Sequence, residues 1–176
     1  MIERLRELAE EVGYECIGIV PAKKLKARPE VRDMCAADTC QQDGHSWACP
    51  PACGPIEEFQ KMYEEHEYCL LFQSVGELED EFDVETMIET EHTHKERFFE
   101  LLEKAQSEGL NPVFLTAGTC TVCKQCTSPD APCRFPEKRF VSMEASGLVV
   151  SEACTLANIP YNHGKNTLAY TSCALV

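Results

Sequence analysis

Positive charge is scarce in this chain. Sixteen lysines and arginines face thirty aspartates and glutamates, for a formal net charge of −14. Phosphate contacts need Lys and Arg, so neither nucleic acid nor an anionic membrane is expected as a partner. The one basic run, Lys23-Lys24-Leu25-Lys26-Ala27-Arg28, reads as a solvated loop face. Long apolar runs are missing too: none approaches the roughly 18 residues that cross a bilayer. The opening Met1-Ile2-Glu3-Arg4-Leu5-Arg6 is charged and amphipathic, unlike a secretory leader. No phosphate-binding glycine loop, serine-nucleophile elbow or HExxH is present, so those chemistries have no residues to run on. Internal repeats, low-complexity stretches and flexible linkers are also lacking.

Cysteine, by contrast, is abundant. The chain has twelve in 176 residues, about 7%, close to the level of a secreted disulfide scaffold. Without an export signal the expected location is the cytoplasm, where thiols stay reduced and clustered cysteines bind metal or do thiol chemistry. Residues 1–176 are expected to form one metal-binding domain.

The sharper of two cysteine boxes is Cys120-Thr121-Val122-Cys123-Lys124-Gln125-Cys126, with Cys133 after six intervening residues. Three thiolates at intervals of three wrap one compact object, as bacterial ferredoxins hold three corners of a cube. A lone zinc more often takes two separated C-x2-C pairs, and here the middle cysteine would crowd it. The box therefore predicts a [4Fe–4S] cluster, with structural zinc as the alternative. Cys133 is assigned to its own box, with exchange of this ligand between boxes as the open point, because Arg134-Phe135-Pro136 only loosely matches the Cys-Pro ending that ligates the other cluster.

The other box is Cys35-x4-Cys40-x8-Cys49-Pro50-Pro51-x-Cys53. Consecutive prolines fix φ twice and remove two amide donors, which stiffens the presentation of the sulfurs. A second [4Fe–4S] cluster is expected, again with zinc as the alternative. Trp47, the single tryptophan, stands two residues before Cys49 and reads either as a shield for this first site or as a core anchor. His45 could replace a cysteine, but fits a solvated loop better.

Cys35, Cys40, the Gly44-His45-Ser46-Trp47-Ala48-Cys49-Pro50-Pro51 box, the Cys120–Cys126 triplet, Cys133-Arg134-Phe135-Pro136, and Ser142-Met143-Glu144-Ala145 with Gly147 together resemble the DUF2284 family over nearly the whole chain. The resemblance implies metal binding and a habitat among anaerobic bacteria and archaea, and it supplies no reaction. Where that family often has Tyr-Gly-Lys-Asn before the tryptophan, this chain has Asp43-Gly44-His45-Ser46.

Four cysteines remain. Cys16, Cys69 and Cys173 fall in predicted strands and Cys154 in a helix, so all four read as small core fillers; alternatively, some line the first site. His92 and His94, two apart on a helix, point to different faces and share no metal. His163 reads as a structural turn residue. The acidic groups Glu64-Glu65 and Glu79-Asp80-Glu81 read as solvated surface.

The hydrophobic pattern predicts helices over about 2–12, 55–66 and 84–108, short ones between 136 and 157, and strands near 16–20, 68–72, 113–116 and 170–175. Alternation of strand and helix predicts a compact α/β sandwich around a mostly parallel, roughly four-stranded sheet, with the cysteine loops 35–53 and 120–133 leaving one edge. The expected function is a ferredoxin-like redox module serving an electron-transfer partner with a basic docking surface. Two alternatives stand beside it: an enzyme whose cluster keeps an open iron for a substrate, and a zinc-stabilised interaction domain.

Overall fold

The computed structural model describes residues 1–37 and 39–176. The expected first cysteine loop, 35–53, runs through Asp38, which lies outside them.

Ile2–Glu11 forms α1, which buries Leu5, Leu8 and Ala9 along one face. Spacings of three and four place these residues on one side of the helix. Gly13 ends it at φ +96°, a left-handed conformation that costs glycine little. Four strands follow in the chain: β1 (Cys16–Pro21), β2 (Tyr68–Glu77), β3 (Val113–Leu115) and β4 (Thr167–Leu175). The remaining helices are α2 (Pro29–Ala36), α3 (Ile56–Glu65), α4 (Val84–Ser107) and α5 (Val150–Leu156).

The strands form one sheet in the order β1-β2-β4-β3, and every neighbouring pair is antiparallel. This corrects the mostly parallel sheet expected from the sequence. Alternation of strand and helix usually signals parallel crossovers, but here the helices between β1 and β2, α2 and α3, connect antiparallel neighbours. The sheet is covered on both faces. One face carries Leu70, Phe72, Phe114 and Ala174 against α1 and α4. The other carries Cys69, Leu71, Leu115 and Cys173 against α3, α5 and a turn around Met143 and Leu148. Each fully buried leucine contributes roughly 1.5–3 kcal/mol, and both layers contain several.

The antiparallel order changes how the cysteine loops meet. β1 and β3 run in opposite directions, so their following loops do not leave from a common edge. Cys53, at the end of the first loop, packs against the core of the α3/α5 face. Between β1 and that loop the chain forms α2, which the hydrophobic pattern does not predict. Pro29 occupies its first turn, where its fixed φ is preorganised for helix. Among the described residues no helix is long and apolar enough to cross a membrane.

On the α1/α4 face, His94 is fully buried between two serines. Its Nδ1 lies 3.0 Å from Ser74 Oγ and its Nε2 2.7 Å from Ser172 Oγ. His92 is exposed beside Glu96, so the two histidines do face apart.

Candidate metal centres

The second box forms one wall-to-wall site. Cys120, Cys123, Cys126 and Cys133 all line a single cavity of about 590 Å³. The loop runs on from β3 through Thr116, whose backbone is anchored on both sides by Val141 and Met143. Thr127 Oγ1 donates to the Pro132 carbonyl at 2.9 Å, and Arg134 Nη1 donates to the Gln125 carbonyl at 2.9 Å. These bonds bend the segment back on itself, so Cys133 returns to the other three cysteines across six intervening residues.

The thiols differ in electrostatic setting. Burial pushes the Cys120 thiol up, the Val122 N–H opposes this, and the charges of Cys126, Cys123 and Cys133 add to it. At Cys126 burial also acts upward, but hydrogen bonds from the Ser128, Trp47 and Thr127 amides and the Ser46 hydroxyl outweigh it. The Cys126 thiol therefore sits below its ordinary value, as expected for a sulfur surrounded by donors. Two of those donors, Ser46 and Trp47, belong to the first box.

Trp47 shows the same crossing. Its indole Nε1 donates to the Ala131 carbonyl at 2.9 Å, and its ring lines the second cavity together with exposed His45. Trp47 is thus a wall of the second site, and neither the shield of the first nor a buried core anchor. Its position was not readable from its neighbour Cys49, because the contact spans 84 residues.

The first box is held by local turns. Gly44 N–H bonds to the Pro50 carbonyl at 2.8 Å, and Cys53 N–H to the Cys49 carbonyl at 3.0 Å. Cys35 sits on the last turn of α2; Cys49 is buried, Cys35 and Cys53 are half-buried, and Cys40 is exposed. Burial pushes Cys35 up, with Arg32 opposing and Cys40, Cys49 and Asp43 adding to the rise. Burial also pushes Cys53 up, with Arg32 opposing and Cys49 adding. Cys49 is therefore the common neighbour of this group, and Arg32 is its counter-charge.

Arg32 carries an unusual feature. Its Nη2 donates to the Gly54 carbonyl at 3.0 Å and its guanidinium lies 5.5 Å from the Phe59 ring centroid. Its Nε is buried without a hydrogen-bond partner. A buried N–H left unpaired costs about 1–3 kcal/mol, so an anionic acceptor near these thiols would satisfy it.

The Ser142–Gly147 segment supports this site from below. Ser142 Oγ accepts the Ala145 N–H at 3.0 Å, and the Cys53 thiol points at the Ala145 carbonyl from 4.0 Å. Gly147 has φ +90°, and a Cβ there would come within 2.8 Å of Ile56 Cδ1. Its carbonyl accepts the Arg28 N–H at 2.8 Å, which ties the start of α2 to the turn. The two boxes also touch directly: Cys49 Sγ lies 3.6 Å from Thr119 Oγ1, next to Cys120.

Among the described residues no group of three or more His, Cys, Asp or Glu side chains closes tightly enough to hold a single metal ion. Four sulfurs on one zinc, each about 2.3 Å from the metal, would nearly touch one another. The four thiols of the second site line one cavity. Soft thiol donors around such a space, with no carboxylate among the described residues lining it, fit a thiophilic metal or an iron–sulfur group and not a hard cation.

The other cysteines fall elsewhere. Cys69, Cys154 and Cys173 are fully buried on the α3/α5 face, while Cys16 is half-buried. Burial and the Cys69 thiol bonded to it raise Cys173 well above its ordinary value, the bond being the larger effect. Such thiols are inert fillers. His163 Nε2 lies 3.0 Å from Gln73 Oε1, and Gln73 Nε2 donates to Thr171, Pro160 and the Cys154 sulfur, so His163 closes a structural network.

An α/β body that presents two cysteine-rich loops to each other defines a metal-binding class of protein. The chain belongs to the DUF2284 family of predicted metal-binding proteins, whose model matches residues 18–176. No curated protein and no solved structure matches it.

Proposed function

We propose that this chain is a two-cluster iron–sulfur protein that carries electrons for an anaerobic enzyme system. The observation that carries the reading is the cavity of about 590 Å³ on which Cys120, Cys123, Cys126 and Cys133 converge. A [4Fe–4S] cluster bound at such a site supplies one-electron transfer.

The chain's own residues supply the rest. Cys120, Cys123, Cys126 and Cys133 would hold the second cluster, and Cys35, Cys40, Cys49 and Cys53 the first. The amides of Trp47, Thr127 and Ser128 and the Ser46 hydroxyl donate to the Cys126 sulfur, which favours its thiolate and fixes its direction. Lys124, Arg134 and Arg139 around the cavity offset the negative charge of four thiolates. Arg32 does the same for Cys35 and Cys53. The Cys49–Thr119 contact keeps the two thiol sets adjacent, so an electron held at one site has a short route to the other.

Replacing Cys123 and Cys53 singly by serine, in protein prepared without oxygen, tests the reading. Electron paramagnetic resonance of the reduced protein should lose or shift one signal in each variant, and a different one in the two. A single signal affected equally by both substitutions would contradict two separate clusters.

A further inference from the structure

Among the described residues, Nε of Arg32 is the one buried side-chain nitrogen or oxygen without a hydrogen-bond partner. Protein interiors pair nearly all such groups, so an orphan marks a place where a further acceptor belongs. Its surroundings are specific. Arg32 stands three residues before Cys35 on α2, a spacing that puts the two side chains on one helix face. The guanidinium spans to the far side of the first box, where Nη2 holds the carbonyl of Gly54, next to Cys53, at 3.0 Å. The Phe59 ring of α3 covers it from 5.5 Å.

Sulfur is the acceptor that this place offers. The Arg32 charge acts on Cys35, Cys53 and Tyr63, and the Tyr63 hydroxyl is already turned to Ser146 Oγ at 2.6 Å. A protonated thiol accepts hydrogen bonds weakly, whereas a thiolate accepts a charge-assisted one. Metal ligation takes thiolates, with the thiol protons passing to solvent. Occupation of the first box therefore creates the acceptor that Nε lacks.

We propose that Arg32 is a metal-dependent clasp. Its Nε–H closes on a sulfur of the first centre when metal is held there, while Nη2 keeps the Gly54 carbonyl. Occupancy thereby ties α2, with Cys35, to the turn that carries Cys53. Arg32 is a positioning residue: it acts on the ligands of the centre and touches no substrate. This rests on the reading that the first box holds metal, and deepens it. By linkage, a bond made only in the occupied state slows metal loss, by roughly tenfold for a single charge-assisted hydrogen bond. The same bond adds nothing to the stability of the metal-free chain.

A cycle of metal and substitution tests this. Lysine keeps a cation at the position but not the planar fork that serves two acceptors at once. Wild type and Arg32→Lys, both prepared without oxygen, are exposed to excess chelator, and the metal still bound is measured at successive times. One phase of release should quicken about tenfold in the variant, and the other should stay as it is. The same two proteins, stripped of metal, should unfold at the same urea concentration. Unchanged release would overturn the proposal, as expected if a water rather than sulfur satisfies Nε in both states. A stripped variant that unfolds much earlier than stripped wild type would also overturn it, because Arg32 would then be a structural residue whatever the metal. If Arg32→Lys does not fold, nitrogen-15 resonance of arginine-labelled wild type decides. A buried Nε–H should exchange slowly with solvent in the loaded protein and faster after stripping, and equal exchange in both states would overturn the proposal. Protein that never holds metal in the first box fails the underlying reading before any comparison; metal held and released alike by both proteins fails the clasp alone.

Discussion

Trp47 donates its indole N–H to the carbonyl of Ala131 at 2.9 Å, so the single tryptophan of the chain, two residues before a cysteine of the first box, closes the second. With Ser46 and the Trp47 amide bonded to Cys126, the Gly44–Pro51 segment is shared between the two thiol sets. Trp47→Phe keeps an aromatic wall but removes the indole donor, a bond of about 1 kcal/mol. Hydrogen exchange should quicken in 126–133, and the second cluster should lose iron faster than the first when a chelator is added. Faster loss from the first cluster alone would contradict the assignment of Trp47.

Arg32→Gln removes the cation beside Cys35 and Cys53 while keeping a donor. The first cluster should then be reduced at a lower potential, because its added negative charge loses its compensation. Arg32→Lys should restore part of the shift. Potentiometric titration followed by paramagnetic resonance reads both clusters at once, and the second should not move.

Desolvation on burial, with Lys95 and Arg97 adding to it, lowers His94 to about 3. Unfolded, the ring takes its proton near 6.5, so between these values the unfolded chain binds one more proton than the folded one. Stability from this residue is intact above about 6.5 and falls by about 1.4 kcal/mol per pH unit as the pH drops toward 3. Urea denaturation of wild type and His94→Gln at matched pH values isolates the effect. The difference between them should shrink as pH falls, and a constant difference would show that His94 does not titrate on unfolding.

Much of the helical layer was legible in the sequence. The stripe Ile2, Leu5, Leu8, Ala9 and the run from Val84 to Ser107 have a period that only a helix satisfies. Strand direction was not, because Cys16–Val20 reads alike in either sense once both faces are covered. The helix carrying Cys35 was hidden by its weak apolar face, although Pro29 marked its start. The meeting of Cys120, Cys123, Cys126 and Cys133 at one cavity could be read from local spacing. The Ser46–Cys126 and Cys49–Thr119 contacts could not, since no local pattern encodes a pairing of residues 70 or more apart.

Removal of metal should affect the molecule unevenly. The loops 39–53 and 120–133 hold few core side chains, whereas the sheet has an apolar layer on each face. Chelation should raise hydrogen exchange in both loops and leave β2 and β4 protected. Collapse of protection in β2 would show that the body depends on the bound metal.

The central claim is that these eight cysteines hold two iron–sulfur clusters. Iron, zinc and acid-labile sulfide measured on protein made and purified without oxygen test it most directly. The account predicts a brown protein with about eight irons and eight sulfides per chain. Stoichiometric zinc with no labile sulfide would contradict it.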